Sequence, residues 1–382
     1  MIYSVKHTNK ITFYLALSGF LTAWVISFYG FRKHQDIDST TIFTVLFLTS
    51  ITLWNIKKNS FFRSISKYSF AVLFFFCLVT INSLLNGTPI YEIIVATKPL
   101  ILFILLFYSI SKVTIPLLPQ NFAIQVLKIT SALMFVKYSI SHLLSLNDRP
   151  FLFTENNFEL VIPLGLLFCY HNKSRGLTIL LLLVILMSGS KSAIGSLILL
   201  PIISYAYSQN FLLKFVLASL LFLVIASLIK FGIFDEVDRF VYITNIYSFY
   251  DFSTMNLLFG NFQINPLFNK TCEAFKYMGP EKVIQEGGKY VCYSRVANFT
   301  SIRLFVDFGI FFGACFYFFW FVNLKKLFPK KIAVNLFFIG FLNGLSVSGF
   351  GNAYYLIMLL LIYSSSEPKR VHPQIPPKLK EA

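Results

Sequence analysis

Long apolar stretches recur along the chain and are separated by short polar segments. They lie near residues 11–31, 40–56, 68–86, 93–111, 122–146, 157–170, 177–189, 193–207, 211–230, 302–323, 332–348 and 352–364. A helix needs about 20 apolar residues to cross a bilayer core of about 30 Å. The pattern therefore predicts an all-α polytopic membrane protein with about 12 transmembrane helices and one large loop.

The segments divide the chain into four parts. Residues 1–230 hold predicted helices 1–9, residues 231–300 form the large loop, and residues 301–365 hold helices 10–12. The Pro- and Lys-rich residues 366–382 read as a disordered tail. The large loop contains many apolar and aromatic residues between Gly, Asn and Pro, so we expect it to be ordered and to lie over a membrane-embedded site.

Composition supports a membrane protein. Of the 382 residues, 56% are hydrophobic and 13% are charged, whereas a soluble domain has about 25% charged residues. The net charge of +17 could indicate nucleic-acid binding, but its distribution argues against that.

The basic residues lie mainly on one side of the predicted membrane, and this distribution indicates the topology. With a cytoplasmic N-terminus, 18 of the 33 basic residues fall in inner segments and five in short outer loops and nearby helix ends. This is a positive-inside bias. It predicts that both termini are cytoplasmic and that the large loop is on the far side, which in a bacterium is the periplasm.

Cysteine placement fits the same topology. Cys272 and Cys292 are the two cysteines of the large loop, and Cys77, Cys169 and Cys315 lie in apolar segments. An oxidising compartment would let the loop pair form a disulfide. Two unpaired thiols are the alternative.

The sequence contains no pattern for a metal or a cofactor. The five histidines share no ligand spacing, and there is no CxxC, HExxH, Walker-type glycine loop or GxGxxG. We therefore expect no zinc, nucleotide or nicotinamide chemistry, and no cofactor.

Charged residues collect instead on the predicted outer side, and each has a structural alternative. Arg149 and Arg303 could snorkel to lipid phosphates, Glu155 could be a favourable charge at a helix N-terminus, and Lys191 could anchor a turn. Glu159 is one turn deeper than Glu155, and intramembrane acids usually face a cavity or a partner.

Two further polar residues lie within a predicted span. Lys137 and His142 are in the fifth segment, toward its outer end. Lys137 could snorkel to the headgroups, and His142 could be an interface residue. Together, the outer cations suggest a site for an anionic substrate that a lipid carries.

Three stretches resemble the O-antigen ligase and polymerase superfamily. RPFLFTENNFELVIPLGLLF resembles its Arg-Pro … Phe-x-Glu-x-Asn segment, and ILMSGSKSAIGSLI is similar to its Ser-x-Ser-Arg/Lys-Ser/Thr-Ala turn. LLFGNF, followed by a loop and NFTSIRLFVDFGIFFG, resembles the Leu-x-Gly-x-Gly … Asn … Glu-Phe-Gly-x-x-Gly pattern around the large loop. The resemblance covers residues 145–320.

The resemblance implies a GT-C-like helical glycosyltransferase of a Gram-negative inner membrane. Its partners would be membrane lipids, undecaprenyl-diphosphate-linked oligosaccharides and a chain-length regulator. The family's ligase carries a histidine in the large loop, but this chain has none between His171 and His372. Gly260 is also followed by Asn261 and Phe262 rather than by x-Gly. Both departures favour the polymerase over the ligase.

Residue roles follow from that reaction, in which charge develops on a leaving diphosphate. Guanidinium groups bind phosphate bidentately, and a carboxylate can deprotonate the attacking hydroxyl. The predicted catalytic residues are Glu155, Glu159, Arg239 and Arg295. The predicted substrate-binding residues are Arg149, Lys191, Arg303, Asn156, Asn298 and Tyr242.

Three other functions stay open. A ligase would transfer the finished polymer to lipid A–core. A transporter of lipid-linked oligosaccharides often has internal repeats, which this chain lacks. A membrane scaffold would have little use for the outer cations.

Overall fold

The computed structural model of this protein is mostly helical in the part of the chain that it describes. The described residues are 67–94, 96–97, 120–145, 158–170, 175–208, 258–260, 264, 266, 269–274, 276, 280, 283–293, 300–344 and 353–365.

The long helices coincide with predicted apolar segments. They are α1 (Lys67–Leu85), α2 (Gln120–Leu143), α3 (Val161–Tyr170, after a 3-10 turn at Phe158–Leu160), α4 (Arg175–Met187), α5 (Lys191–Ser208), α7 (Thr300–Leu327), α8 (Lys330–Gly344) and α9 (Ala353–Ser365). Each end is within four residues of the predicted one. The segments at 11–31, 40–56 and 211–230, the tail at 366–382 and most of 93–111 are outside the described residues.

Helix α3 is the centre of the bundle. It packs against α2, α4, α5, α8 and α9, and every residue from Val161 to Leu167 is buried. Gly165 lets α9 approach, because a Cβ at this position would collide with the Met358 side chain. The turn at Phe158–Leu160 therefore lies at the N-terminal end of a helix that is buried on all sides.

Asn335 of α8 links three helices through hydrogen bonds in the apolar interior. Its Nδ2 donates to the Phe168 carbonyl of α3 at 3.0 Å, and its Oδ1 accepts from the Ser204 hydroxyl of α5 at 2.5 Å. A buried polar side chain needs such partners, so these bonds fix the relative positions of α3, α5 and α8.

Helix α7 is interrupted near its N-terminal end. Gly309 has φ 79° and ψ 166°, which separates two helical parts. Its longer part packs on α8, with Trp320 stacked on Tyr355 of α9 at a centroid distance of 5.6 Å.

The large loop contains a short helix and a hairpin. Helix α6 (Asn269–Ala274) precedes strands β1 (Val283–Glu286) and β2 (Lys289–Cys292), which pair antiparallel with Glu286 opposite Lys289. Gly287 and Gly288 have φ of 54° and 76°, as a two-residue type I′ turn requires. A disulfide between Cys272 and Cys292 joins α6 to the end of β2.

Among the described helices, one is both long and apolar enough to cross a membrane unaided. It is Asp307–Leu327, with 21 residues and a mean hydropathy of 1.5. Apolar helices that are shorter occur at Phe76–Leu85, Arg175–Met187 and Ser192–Tyr207. The twelve-span topology therefore stays a prediction.

Candidate functional site

Glu159 lies at the entrance to the central helix and is fully buried. It is in the 3-10 turn that leads into α3, and none of its surface is exposed. The turn also packs against α9. A carboxylate in this position cannot be stabilised by bulk water, so groups inside the bundle must stabilise its charge.

Lys137 provides the opposite charge. It is on α2, which packs against α3, and 2% of its surface is exposed. The charges of Lys137 and Glu159 attract each other in the structure. The alternative in which Lys137 snorkels to the headgroups is wrong for this structure, because its side chain is held inside the bundle.

Tyr138 is the third polar residue near Lys137 and Glu159. Its side chain is fully buried, and the Glu159 charge acts on it as well. Within the described part of the chain its hydroxyl has no hydrogen-bond partner. Buried hydroxyls are usually paired, so this group requires an explanation.

The neighbouring end of α2 is tied to α4. The Nε2 atom of His142 lies 2.7 Å from the carbonyl oxygen of Met187. The adjacent Ser188 is fully buried and its hydroxyl donates to Ile185 at 2.6 Å. His142 is thus an interhelical contact at the serine-rich turn before Lys191.

The buried acidic and basic side chains that the structure describes share one location in the predicted topology. They are Glu92, Lys137, Glu159 and Asp307, each at most 5% exposed. Each lies at or toward the outer end of its predicted apolar segment. Burying a charge costs free energy. Since these residues lie at one end of their segments, that end is the candidate location of the functional site.

Two stretches of the family resemblance meet at the break in α7. A Cβ placed on Gly260 would lie 2.5 Å from the Gly309 nitrogen, and one on Gly309 would lie 2.5 Å from the Gly260 nitrogen. Both glycines have positive φ, 67° and 79°. Gly260 of the large loop therefore contacts the backbone of α7 at Gly309.

The same loop segment also contacts α1. The Ile264 N–H donates to Ser83 Oγ at 2.9 Å, and the Thr88 hydroxyl donates to the Ile264 carbonyl at 3.1 Å. Four residues of chain reach at most about 14 Å. Because Gly260 contacts the break in α7 and Ile264 contacts the end of α1, these two places lie in the same region.

The predicted site residues fall into two groups. Glu159 is described together with its side chain. For two others only the backbone is described: Lys191 is the first residue of α5, and Arg303 lies in the first turn of α7. The others are outside the described residues: Arg149, Glu155, Asn156, Arg239, Tyr242, Arg295 and Asn298. Their roles stay predictions.

Sequence reasoning underrated Lys137 and missed Tyr138. The signal for Lys137 was its position in an apolar segment, at the depth where Glu159 enters the next segment. Metal ligands do not cluster in the described residues, where no group of three His, Cys, Asp or Glu could hold an ion.

In comparisons with known proteins, no family model, no curated protein and no solved structure matches the chain. The resemblance to the ligase and polymerase superfamily therefore depends on the motifs quoted above, and the function that it implies is a proposal.

Proposed function

We propose that this protein polymerises a surface polysaccharide, O-antigen or a related glycan, from undecaprenyl-diphosphate-linked repeat units at the periplasmic face of a bacterial inner membrane. The observation that carries the proposal is that, among the described residues, the buried acidic and basic side chains all lie at or toward the predicted outer ends of their segments. Intramembrane charges of this kind usually mark a substrate site.

The reaction has a simple balance. A hydroxyl of one lipid-linked unit attacks the anomeric carbon of the chain on another lipid. The bond from that carbon to phosphate breaks, and the lipid diphosphate leaves with the electron pair. Glu159 or Glu155 accepts the hydroxyl proton, and Arg239, Arg295, Arg303, Arg149 and Lys191 stabilise the charge on phosphate.

The exposed surfaces of the helices support a membrane location. Large apolar side chains are exposed on several of them, among them Phe74, Ile81, Ile179, Ile198 and Phe318, each more than 50% exposed. Exposed apolar surface on this scale suits lipid better than water. The proposed topology has twelve spans with both termini in the cytoplasm.

One observation also favours a transporter. An acid and a base buried together between helices are typical of ion and proton pathways. A ligase is the other alternative, against which the missing loop histidine counts.

A lipopolysaccharide gel of a deletion strain tests the proposal. The wild-type gene and Arg175→Ala, a control on the predicted inner side where Arg175 is exposed, should restore the full ladder. We expect Arg239→Ala and Arg295→Ala to leave one repeat unit on the core. Bare core in the deletion strain would indicate a ligase, and an unchanged ladder would contradict an O-antigen role.

A further inference from the structure

We propose that Lys137, Tyr138 and Glu159 form one polar site inside the bundle, in which Lys137 is a positioning residue for the Glu159 carboxylate and Tyr138 binds the attacking hydroxyl of the acceptor sugar. The identity of the ligand rests on the proposed function. The pairing of the two charges does not.

The charge pair follows from burial and helix packing. Lys137 and Glu159 are 2% and 0% exposed; Lys137 lies on α2, which packs against α3, and Glu159 lies in the turn that leads into α3. Lys137 is six residues before the end of α2 at Leu143, which is about 9 Å along the helix. An unpaired charge is costly at such a depth, and the opposite charge of the other residue offsets part of that cost.

The Tyr138 hydroxyl points to a ligand. Tyr355 is an internal comparison, since it is also fully buried but donates its hydroxyl to the Leu336 carbonyl at 2.7 Å. Tyr138 has no such bond within the described residues. A phenylalanine would fill the same volume without an unpaired polar atom, so the hydroxyl destabilises the fold unless a bound molecule pairs with it.

The three groups suit a sugar hydroxyl. A phenol donates, a carboxylate accepts and an ammonium donates, and a hydroxyl oxygen can do both. The Tyr138 hydroxyl donates to the acceptor oxygen, whose own proton passes to Glu159 as the new glycosidic bond forms. Lys137 keeps the carboxylate ionised and directed toward that proton.

The phenylalanine substitutions of the two tyrosines separate binding from folding. We expect Tyr138→Phe to keep or raise the Tm of the detergent-purified protein and to lower polymer yield ~10-fold, near the upper end for one lost hydrogen bond. Tyr355→Phe should lower the Tm and leave yield per folded molecule unchanged. Wild-type yield from Tyr138→Phe, or a Tm loss like that of Tyr355→Phe, would overturn the assignment.

A double-mutant cycle tests the charge pair. Lys137→Met and Glu159→Gln should each lower the Tm, and the double variant should recover most of the loss. Polymer yield should stay low in the double variant and be retained in Lys137→Arg. Additive Tm losses would contradict the pairing, and recovery of yield in the double variant would contradict a role in the reaction.

The two proposals fail in different ways. If the deletion strain makes an unchanged ladder and also unchanged amounts of its other surface polysaccharides, the polymerase proposal and the sugar assignment for Tyr138 fail together. The Tm cycle then still decides whether Lys137 holds Glu159.

Discussion

Gly260 and Gly309 are two positions at which the backbone of the structure leaves no room for a side chain. Their backbones pass so close that a methyl group on either would overlap the other's main chain at 2.5 Å. Real Cβ atoms do not approach within 3.0 Å, and a positive φ adds strain for any other residue. The contact therefore holds the large loop against α7 only while both residues are glycine.

We predict that Gly260→Ala and Gly309→Ala each destabilise the protein by at least about 2 kcal/mol, since the overlap is with backbone that cannot rotate away. Thermal unfolding of the detergent-purified variants measures this. Gly195→Ala is the matched control, because a Cβ on this α5 residue meets nothing within 4 Å and alanine favours a helix. Equal melting temperatures for all three variants would contradict the contact.

Site residues differ in how far the sequence could predict them. Glu159 could be predicted as a site residue because a carboxylate one turn inside an apolar segment usually has a functional role. Lys137 was assigned two alternatives, because a long side chain near a helix end can reach either water or the interior. Tyr138 carried no signal, since a tyrosine in an apolar segment is ordinary and only burial without a partner distinguishes it.

At the scale of elements, runs of apolar residues were sufficient to place the helices. The described helices α1–α5 and α7–α9 follow those runs closely because a helix satisfies its own backbone hydrogen bonds and needs only apolar side chains outside. The packing order around α3 had no signal of this kind, since it depends on small contacts such as Gly165 against Met358 and the Asn335 hydrogen bonds.

The hairpin in the large loop could have been predicted and was not. VIQE and KYVC are short strands with a Gly-Gly pair between them, which is a typical two-residue hairpin signal. The break in α7 was harder to predict from the sequence, because a helix usually tolerates a single glycine inside an apolar segment. Its cause is the approach of Gly260, which is 49 positions earlier in the chain.

At the scale of the whole molecule, the distribution of charge predicts which ends of the helices face the cytoplasm. The basic residues at the end of α7 and the start of α8, Lys325, Lys326, Lys330 and Lys331, are on the predicted inner side. The end of α2, the disulfide and the large loop are on the predicted outer side. Both charge bias and disulfide chemistry favour this orientation.

We predict that Leu144→Cys, at an exposed position after α2, reacts with a membrane-impermeant maleimide in intact spheroplasts. Lys326→Cys, exposed in the last turn of α7, should react only after lysis. The background should carry Cys77→Ser, Cys169→Ser and Cys315→Ser and keep the disulfide. Labelling of Lys326→Cys in intact spheroplasts would contradict the topology.

The most direct measurement is polymerisation by the purified protein in proteoliposomes that contain undecaprenyl-diphosphate-linked repeat units as the sole substrate. We predict products of two or more units on lipid diphosphate, formed in the presence of EDTA and without a nucleotide sugar, and strongly reduced in Glu159→Gln. Lack of elongation by folded wild-type protein, with transfer to an added lipid A–core acceptor instead, would contradict it.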